Sequence, residues 1–386
     1  MKLLQIPNYM FPNIGGIEQT ARDIAAAVSA AGGTEQKIIC FNEDAASGSY
    51  VCRRHETVHD TVDGIEVIRC GCFAKVMSQS VSLNYPEELK RLLTGFDPDT
   101  VIFHYPNPFV ASFFLPMLKR TTRLILYWHL DITKQKNVGK LFHRQTLKLL
   151  ERADRVVATS PNYIDGSPYL SRFREKCCVI PSCIDESRLA VTPRIKALAE
   201  HIRERFRGKT IVFAVGRHVE YKGMIYLVRA AQELSERFEI LIGGKGPLTG
   251  DLFREKGENS HIHMLGRVSD EMLTACMLAC DIFAFPSVTK NEAFGLALAE
   301  GMYFGKPAVT FNIPGSGVNY VSIGGVTGIE CQNGNSRALV GAIRSLAADD
   351  ALRKHLGNAA RQRVLDNFMF DKFSAGITRL LEEVKR

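Results

Sequence analysis

Residues 285–309 read FPSVTKNEAFGLALAEGMYFGKPAV. The apolar run that leads into them, Asp281-Ile282-Phe283-Ala284-Phe285-Pro286, has the composition of a buried strand. Ala293-Phe294-Gly295-Leu296 reads as the start of a helix, so a strand feeds a loop that opens a helix. The first amides of such a helix have no intrahelical acceptor and carry the positive end of its dipole, which suits a phosphate-bearing ligand. Glu292 and Glu300 stand eight positions apart, and their carboxylates can accept hydrogen bonds from hydroxyl groups. Phosphate donors beside hydroxyl acceptors describe a site for a sugar nucleotide.

Working outward, the alternation of strand and helix continues through the chain. In the second half, residues 210–215, 239–243, 261–265 and 307–311 read as strands, with helices after Lys222-Gly223 and after the capping Ser269. In the first half, residues 3–6, 36–41, 100–105, 123–129 and 155–159 read as strands. A helix opened by Gly15-Gly16-Ile17-Glu18 runs to about Ala31, a hairpin turns at Asp63-Gly64, and a basic helix spans residues 137–153. This order predicts an α/β protein with two parallel, doubly wound sheets, each binding ligands at the carboxyl ends of its strands. The join near Pro181-Ser182-Cys183-Ile184-Asp185 predicts domains at residues 1–186 and 187–371, with the last helix, 372–386, packing back on the first domain.

Bulk composition narrows the class. A chain of 386 residues exceeds one ordinary core. Its 46% hydrophobic and 23% charged residues are those of a soluble enzyme, and no apolar run is long enough to cross a bilayer. Met1-Lys2-Leu3-Leu4-Gln5-Ile6-Pro7 reads as a first strand and not a secretory signal, which implies a cytoplasmic address. The ten cysteines form no zinc spacing and read as reduced thiols. Within the net charge of +8, residues 119–155 hold ten Lys or Arg against three Asp or Glu. This is either a solvated helix face or a surface for anionic lipid or an anionic acceptor. Nucleic acid is not expected as a partner, since the segment lacks interleaved aromatics for base stacking.

Several further residues carry candidate chemistry. Gly216-Arg217 ends a strand and Lys222 precedes a helix, so a guanidinium fork and a mobile ammonium can neutralise a diphosphate without a metal. Gly243-Gly244-Lys245-Gly246-Pro247-Leu248 permits close backbone approach but lacks the Ser or Thr of a P-loop. Gly16 offers a second backbone approach at a helix start. Trp128-His129-Leu130-Asp131 follows a strand, making His129 the best catalytic candidate of the first half. His104 ranks second, and Asp131 either orients His129 or touches an acceptor.

Placed in order, these segments resemble the retaining glycosyltransferases of the GT-B fold, family 4. The match runs through Gly15-Gly16-Ile17-Glu18, Trp128-His129-Leu130-Asp131, Ser160-Pro161, Ile180–Asp185, Val215-Gly216-Arg217 with Lys222-Gly223, Gly244–Leu248, Leu265-Gly266-Arg267-Val268, Glu292 with Glu300, and Val326-Thr327-Gly328. The resemblance implies two Rossmann-like domains facing across a cleft. By it, Arg217 and Lys222 hold the donor diphosphate, with Gly216 and Gly244 at the turns beside it. Glu292 binds the donor sugar and Glu300 the ribose hydroxyls. Ala293, Phe294, Gly295 and Leu296 form the loop that offers amides. Arg267 and Val268 flank the nucleobase, Gly16 approaches the diphosphate, and His129 contacts the transferred sugar. It further implies transfer with retained configuration, without metal or cofactor, from a nucleotide sugar such as GDP-mannose or a UDP-hexose. The acceptor is a glycan or a lipid-linked molecule, in cell-surface polysaccharide synthesis, with peripheral contact to an anionic membrane. On this view Arg217→Ala and Lys222→Ala abolish transfer and leave the fold intact. Ala293 departs from a common glycine, and Ser182-Cys183 from a usual Asn-Gly. A sugar-nucleotide epimerase is the alternative. A dehydrogenase is disfavoured because no complete G-x-G-x-x-G follows the first strand.

Overall fold

The computed structural model describes residues 1–13, 15–43, 49–76, 79–132 and 139–385. They form two compact units. One contains Met1–Thr159, Ser167–Ile180 and Asp371–Arg386, and the other Ser160–Gly166 and Pro181–Phe370. The division therefore falls at Ile180/Pro181 where the sequence suggested 186/187, and the short Ser160–Gly166 segment belongs to the second unit. The last helix, Phe370–Lys385, lies almost wholly in the first unit.

The first unit is built on an eight-stranded sheet. Its order across the sheet is Cys177–Val179, Arg155–Ala158, Arg123–Trp128, Thr100–Tyr105, Lys2–Ile6, Glu35–Phe41, Ile65–Cys70 and Val58–Val62. All neighbours are parallel except Val58–Val62 against Ile65–Cys70, the edge hairpin that Asp63-Gly64 turns. The central strands read as continuous apolar runs because both faces are covered: Leu3, Leu4, Val101, Phe103, Leu124 and Leu126 are all fully buried.

The second unit has a six-stranded, all-parallel sheet. Its order is Ile262–Gly266, Phe238–Gly243, Thr210–Val215, Ile282–Phe285, Ala308–Phe311 and Gly328–Cys331. The chain builds outward from Thr210–Val215 in one direction, then returns beside it with Ile282–Phe285 and builds in the other. The two strands flanking this reversal part their following loops and open a crevice at their carboxyl ends. The loops leaving these two strands are 216–223 and 286–295. Strand Gly328–Cys331 and helices Ser336–Ala348 and Asp350–Asn367 extend the alternation beyond the elements read from sequence.

Candidate functional site

The second unit's crevice begins with the turn Glu220–Lys222, which leads through Gly223 into helix Met224–Glu233. Gly223 has φ +60°, and a Cβ there would run into the Pro286 carbonyl, so glycine lets the two crevice loops touch. The Val288 amide donates to the Tyr221 carbonyl at 2.9 Å and stitches them further. Lys222 lies with its stem over Gly216, about the width of one van der Waals contact from where a Cβ would be. Its Nζ forms an ion pair with Glu292 Oε2 and sits 4.9 Å from the centroid of the Phe285 ring. Burial works against its charge, but the Glu292 carboxylate outweighs burial and raises the Lys222 pKa. Arg217 is exposed at the head of the same turn.

Glu292 is held from three sides. Ser287 Oγ donates to its Oε2 at 3.1 Å, its amide donates to the Thr289 carbonyl at 3.1 Å, and its own carbonyl accepts from Ser316 Oγ at 2.6 Å. A Cβ on Gly317 would strike Ala293, so the Ile313-Pro314-Gly315-Ser316-Gly317-Val318 stretch braces this loop. The helix starts at Leu296, later than the sequence suggested, because Gly295 takes φ +96°, ψ +66° and cannot belong to it. Ala293 and Phe294 therefore precede the helix. The Phe294 side chain is buried against Phe368, with ring centroids 5.3 Å apart at 88°.

Glu300 does not stand open. Its Oε1 pairs with Arg188 Nη2, while Arg188 Nη1 reaches Asp270 Oδ1 at 2.9 Å. Arg188 comes from the segment after the join, 112 residues away in sequence, and nothing in its local pattern announces the contact. His218 was also missed, although it lies between Arg217 and Lys222. It is 1% exposed, and its Nδ1 lies 2.9 Å from Thr249 Oγ1, which accepts from the Gly246 amide. Burial lowers its pKa. Gly244 backs onto Gly216 and His218, and its amide donates to the Gly266 carbonyl at 2.6 Å. Arg267 is exposed beyond strand Ile262–Gly266, and Val268 packs beside Gly243.

In the first unit, Gly16 is the exposed first residue of helix Gly16–Ala31, with open space where a Cβ would be. His129 directly follows strand Arg123–Trp128 and is 8% exposed. Its Nε2 meets His104 Nδ1 at 2.9 Å. Asp131 accepts from Trp128 Nε1 at 3.1 Å and from Ser167 Oγ at 2.7 Å. The 133–136 part of the WHLDITKQK stretch and the start of the basic helix lie outside the described residues, where the helix begins at Gly139. All ten cysteines are free thiols. Among the described residues, no three His, Cys, Asp or Glu side chains converge as metal ligands, and no helix is long and apolar enough to cross a membrane.

Two family models match this chain: a glycosyl transferase 4-like domain over residues 15–183 and glycosyl transferases group 1 over residues 195–363. The D-rhamnosyltransferase WbpZ of Pseudomonas aeruginosa is 30% identical, the match covering 92% of this chain and 88% of that protein. The O-antigen chain mannosyltransferase C of Escherichia coli is 28% identical over 99% of both. Among solved structures, sucrose-phosphate synthase from Thermosynechococcus elongatus aligns with a TM-score of 0.79 at 18% identity, covering 99% of this chain and 98% of that one. Anabaena HepE in complex with UDP and glucose aligns at 0.75 and 18%, covering 99% of both. The chain belongs to the group 1 glycosyltransferases and has their GT-B fold.

Proposed function

We propose that this glycosyltransferase moves a hexose from a nucleoside diphosphate sugar to a glycan or lipid-linked acceptor in cell-surface polysaccharide synthesis, retaining configuration and using no metal. One observation carries the reading: Lys222, Glu292 and the Gly295-led turn converge where the second sheet reverses its strand order. There, Arg217, Lys222 and the amides of 294–296 neutralise the departing diphosphate, the positive charge a divalent ion would otherwise bring. Glu292 holds the donor sugar, Glu300 the ribose, and Arg267 and Val268 the base. Gly16 and His129 are the first unit's contributions to diphosphate and sugar. During transfer the bond from the anomeric carbon to the diphosphate oxygen breaks. A bond to the acceptor oxygen forms on the same face, and the acceptor proton passes to the leaving diphosphate. His129 and Glu292 position the sugar and are not nucleophiles.

GDP-mannose is the favoured donor. One relative is a GDP-mannose-dependent phosphatidylinositol monomannoside mannosyltransferase, 26% identical over 80% of this chain. A UDP-hexose is the second choice, since HepE binds UDP-glucose. The assay incubates the protein with GDP-mannose or UDP-glucose, with and without acceptor, in EDTA. Nucleoside diphosphate released only with acceptor supports transfer, whereas an isomerised sugar nucleotide without acceptor supports the epimerase instead. Arg217→Ala, at an exposed position, is expected to lower kcat/KM by about a hundredfold or more, as loss of one charge-stabilising donor does. Its thermal midpoint should stay at the wild-type value.

A further inference from the structure

Gln5, His104 and His129 lie on or just after three neighbouring strands of the first sheet. Gln5 pairs with Ile102, two residues before His104, and His104 pairs with Tyr127, two residues before His129. Side chains alternate along a strand, so each step of one strand and two residues stays on the same face. The three residues form a diagonal that climbs toward the carboxyl ends.

Hydrogen bonds join the diagonal into a relay. His129 Nε2 lies 2.9 Å from His104 Nδ1, and His104 Nε2 lies 3.2 Å from Gln5 Oε1. The imidazoles lie nearly coplanar and edge to edge, with centroids 5.2 Å apart at 10°, and the Tyr127 ring lies beside both, at 5.7 Å from His104 and 5.1 Å from His129. Gln5 is fully buried and His104 is 1% exposed. Burial pushes His129 down to about 3, and burial followed by the neighbouring ring pushes His104 well below its ordinary value, so both rings are neutral at pH 7.

A neutral imidazole has one N–H and one acceptor nitrogen. An amide oxygen only accepts, so Gln5 Oε1 requires the His104 hydrogen on Nε2. His104 Nδ1 is then an acceptor and requires the His129 hydrogen on Nε2. His129 Nδ1 keeps its lone pair. Gln5 Nε2 is buried without a hydrogen-bond partner, so the contact of Oε1 with His104 is the one that ties the amide to the relay.

We infer that Gln5 and His104 are positioning residues that impose the Nε2–H tautomer on His129, so that it receives a hydroxyl of the transferred sugar at Nδ1 as a hydrogen-bond acceptor. The inference rests on the proposed contact between His129 and the sugar. The relay itself is a property of the unliganded chain and can be read separately.

The full chain, labelled with 15N in histidine, is examined by two-bond proton–nitrogen correlation spectra, which distinguish protonation at Nδ1 from Nε2. His104→Asn and His129→Asn spectra assign the signals. Both rings are expected to carry Nε2–H at pH 7. Gln5→Met, which removes the acceptor, is expected to give mixed tautomers of His104 and His129. It should lower kcat/KM for the donor sugar by about ten- to hundredfold, the cost of one misdirected buried hydrogen bond. The thermal shift given by GDP or UDP alone should not change. An Nδ1–H signal assigned to His129 in the wild-type chain overturns the inference. Unchanged tautomers and unchanged kcat/KM in a folded Gln5→Met protein overturn it as well. Should no nucleotide sugar be turned over while both rings show Nε2–H, the relay stands and the proposed function fails.

Discussion

Gly295 stands at φ +96°, and a Cβ there would meet the Phe285 ring at 3.2 Å, so both backbone and space call for glycine. Gly295→Ala is expected to cost about 1–3 kcal/mol, the usual range for a side chain forced into such a conformation. Urea unfolding measures it, and an unshifted midpoint would refute the assignment. His104 and His129 make a second prediction at this scale. Their pKa values in the fold lie below those of the unfolded chain, His129 at about 3. Below about pH 6.5 the unfolded chain therefore binds protons that the fold does not, and stability rises with pH through this window. Stability is withdrawn by His129 as the pH falls from about 6.5 toward its folded value of about 3, and by His104 in the same direction. His218, also lowered by burial, acts in the same direction. Urea midpoints at pH 7.5, 6 and 5 should fall with acid, and less steeply in His104→Phe. Equal midpoints across that range would contradict the burial of these rings.

Among the elements, the two crevice loops are coupled by Lys222 and Glu292. From sequence, both Arg217→Ala and Lys222→Ala leave the fold intact. The structure separates them, because Lys222 carries the counter-charge of a buried Glu292 carboxylate while Arg217 is exposed. Removing one partner of a buried ion pair strands the other. Lys222→Ala is expected to destabilise the protein by about 3 kcal/mol, and Lys222→Met combined with Glu292→Gln by much less. A double-mutant cycle read by denaturant unfolding checks this, and additive losses would show that the pair is not coupled. Arg188 places a similar restraint on Glu300. A carboxylate with one oxygen engaged by a guanidinium keeps the other available to accept a hydrogen bond.

For the molecule as a whole, four of the ten basic residues of the 119–155 segment have carboxylate partners among the described residues. Lys119 pairs with Asp97 at 2.6 Å, Arg123 with Asp154 at 3.0 Å, Arg152 with Asp154 at 3.4 Å, and Arg155 with Glu383 at 3.8 Å. Arg123 and Arg152 share one carboxylate, so the segment keeps an excess of cations, whose field fades beyond a Debye length. We expect weak sedimentation with anionic vesicles that falls further between about 0.05 and about 0.3 M salt. Binding that persists at the higher salt would mean an apolar, not electrostatic, attachment.

The strand–loop–helix order around Phe285–Leu296 was legible without coordinates, because buried parallel strands leave continuous apolar runs and glycines mark their turns. The candidate residues on short loops, Arg217, Lys222 and Glu292, stood out for the same local reason. The partnerships were not legible. Arg188 with Glu300, Ser316 with the Glu292 carbonyl, and Gln5 with His104 join positions remote in the chain, and such pairs arise only when strand order and register bring them together. Amino-acid pattern thus determined which elements form and where the turns of the crevice lie. Packing alone decided that Gln5, His104 and His129 form one hydrogen-bonded row, and which carboxylates of the crevice already have a cation beside them.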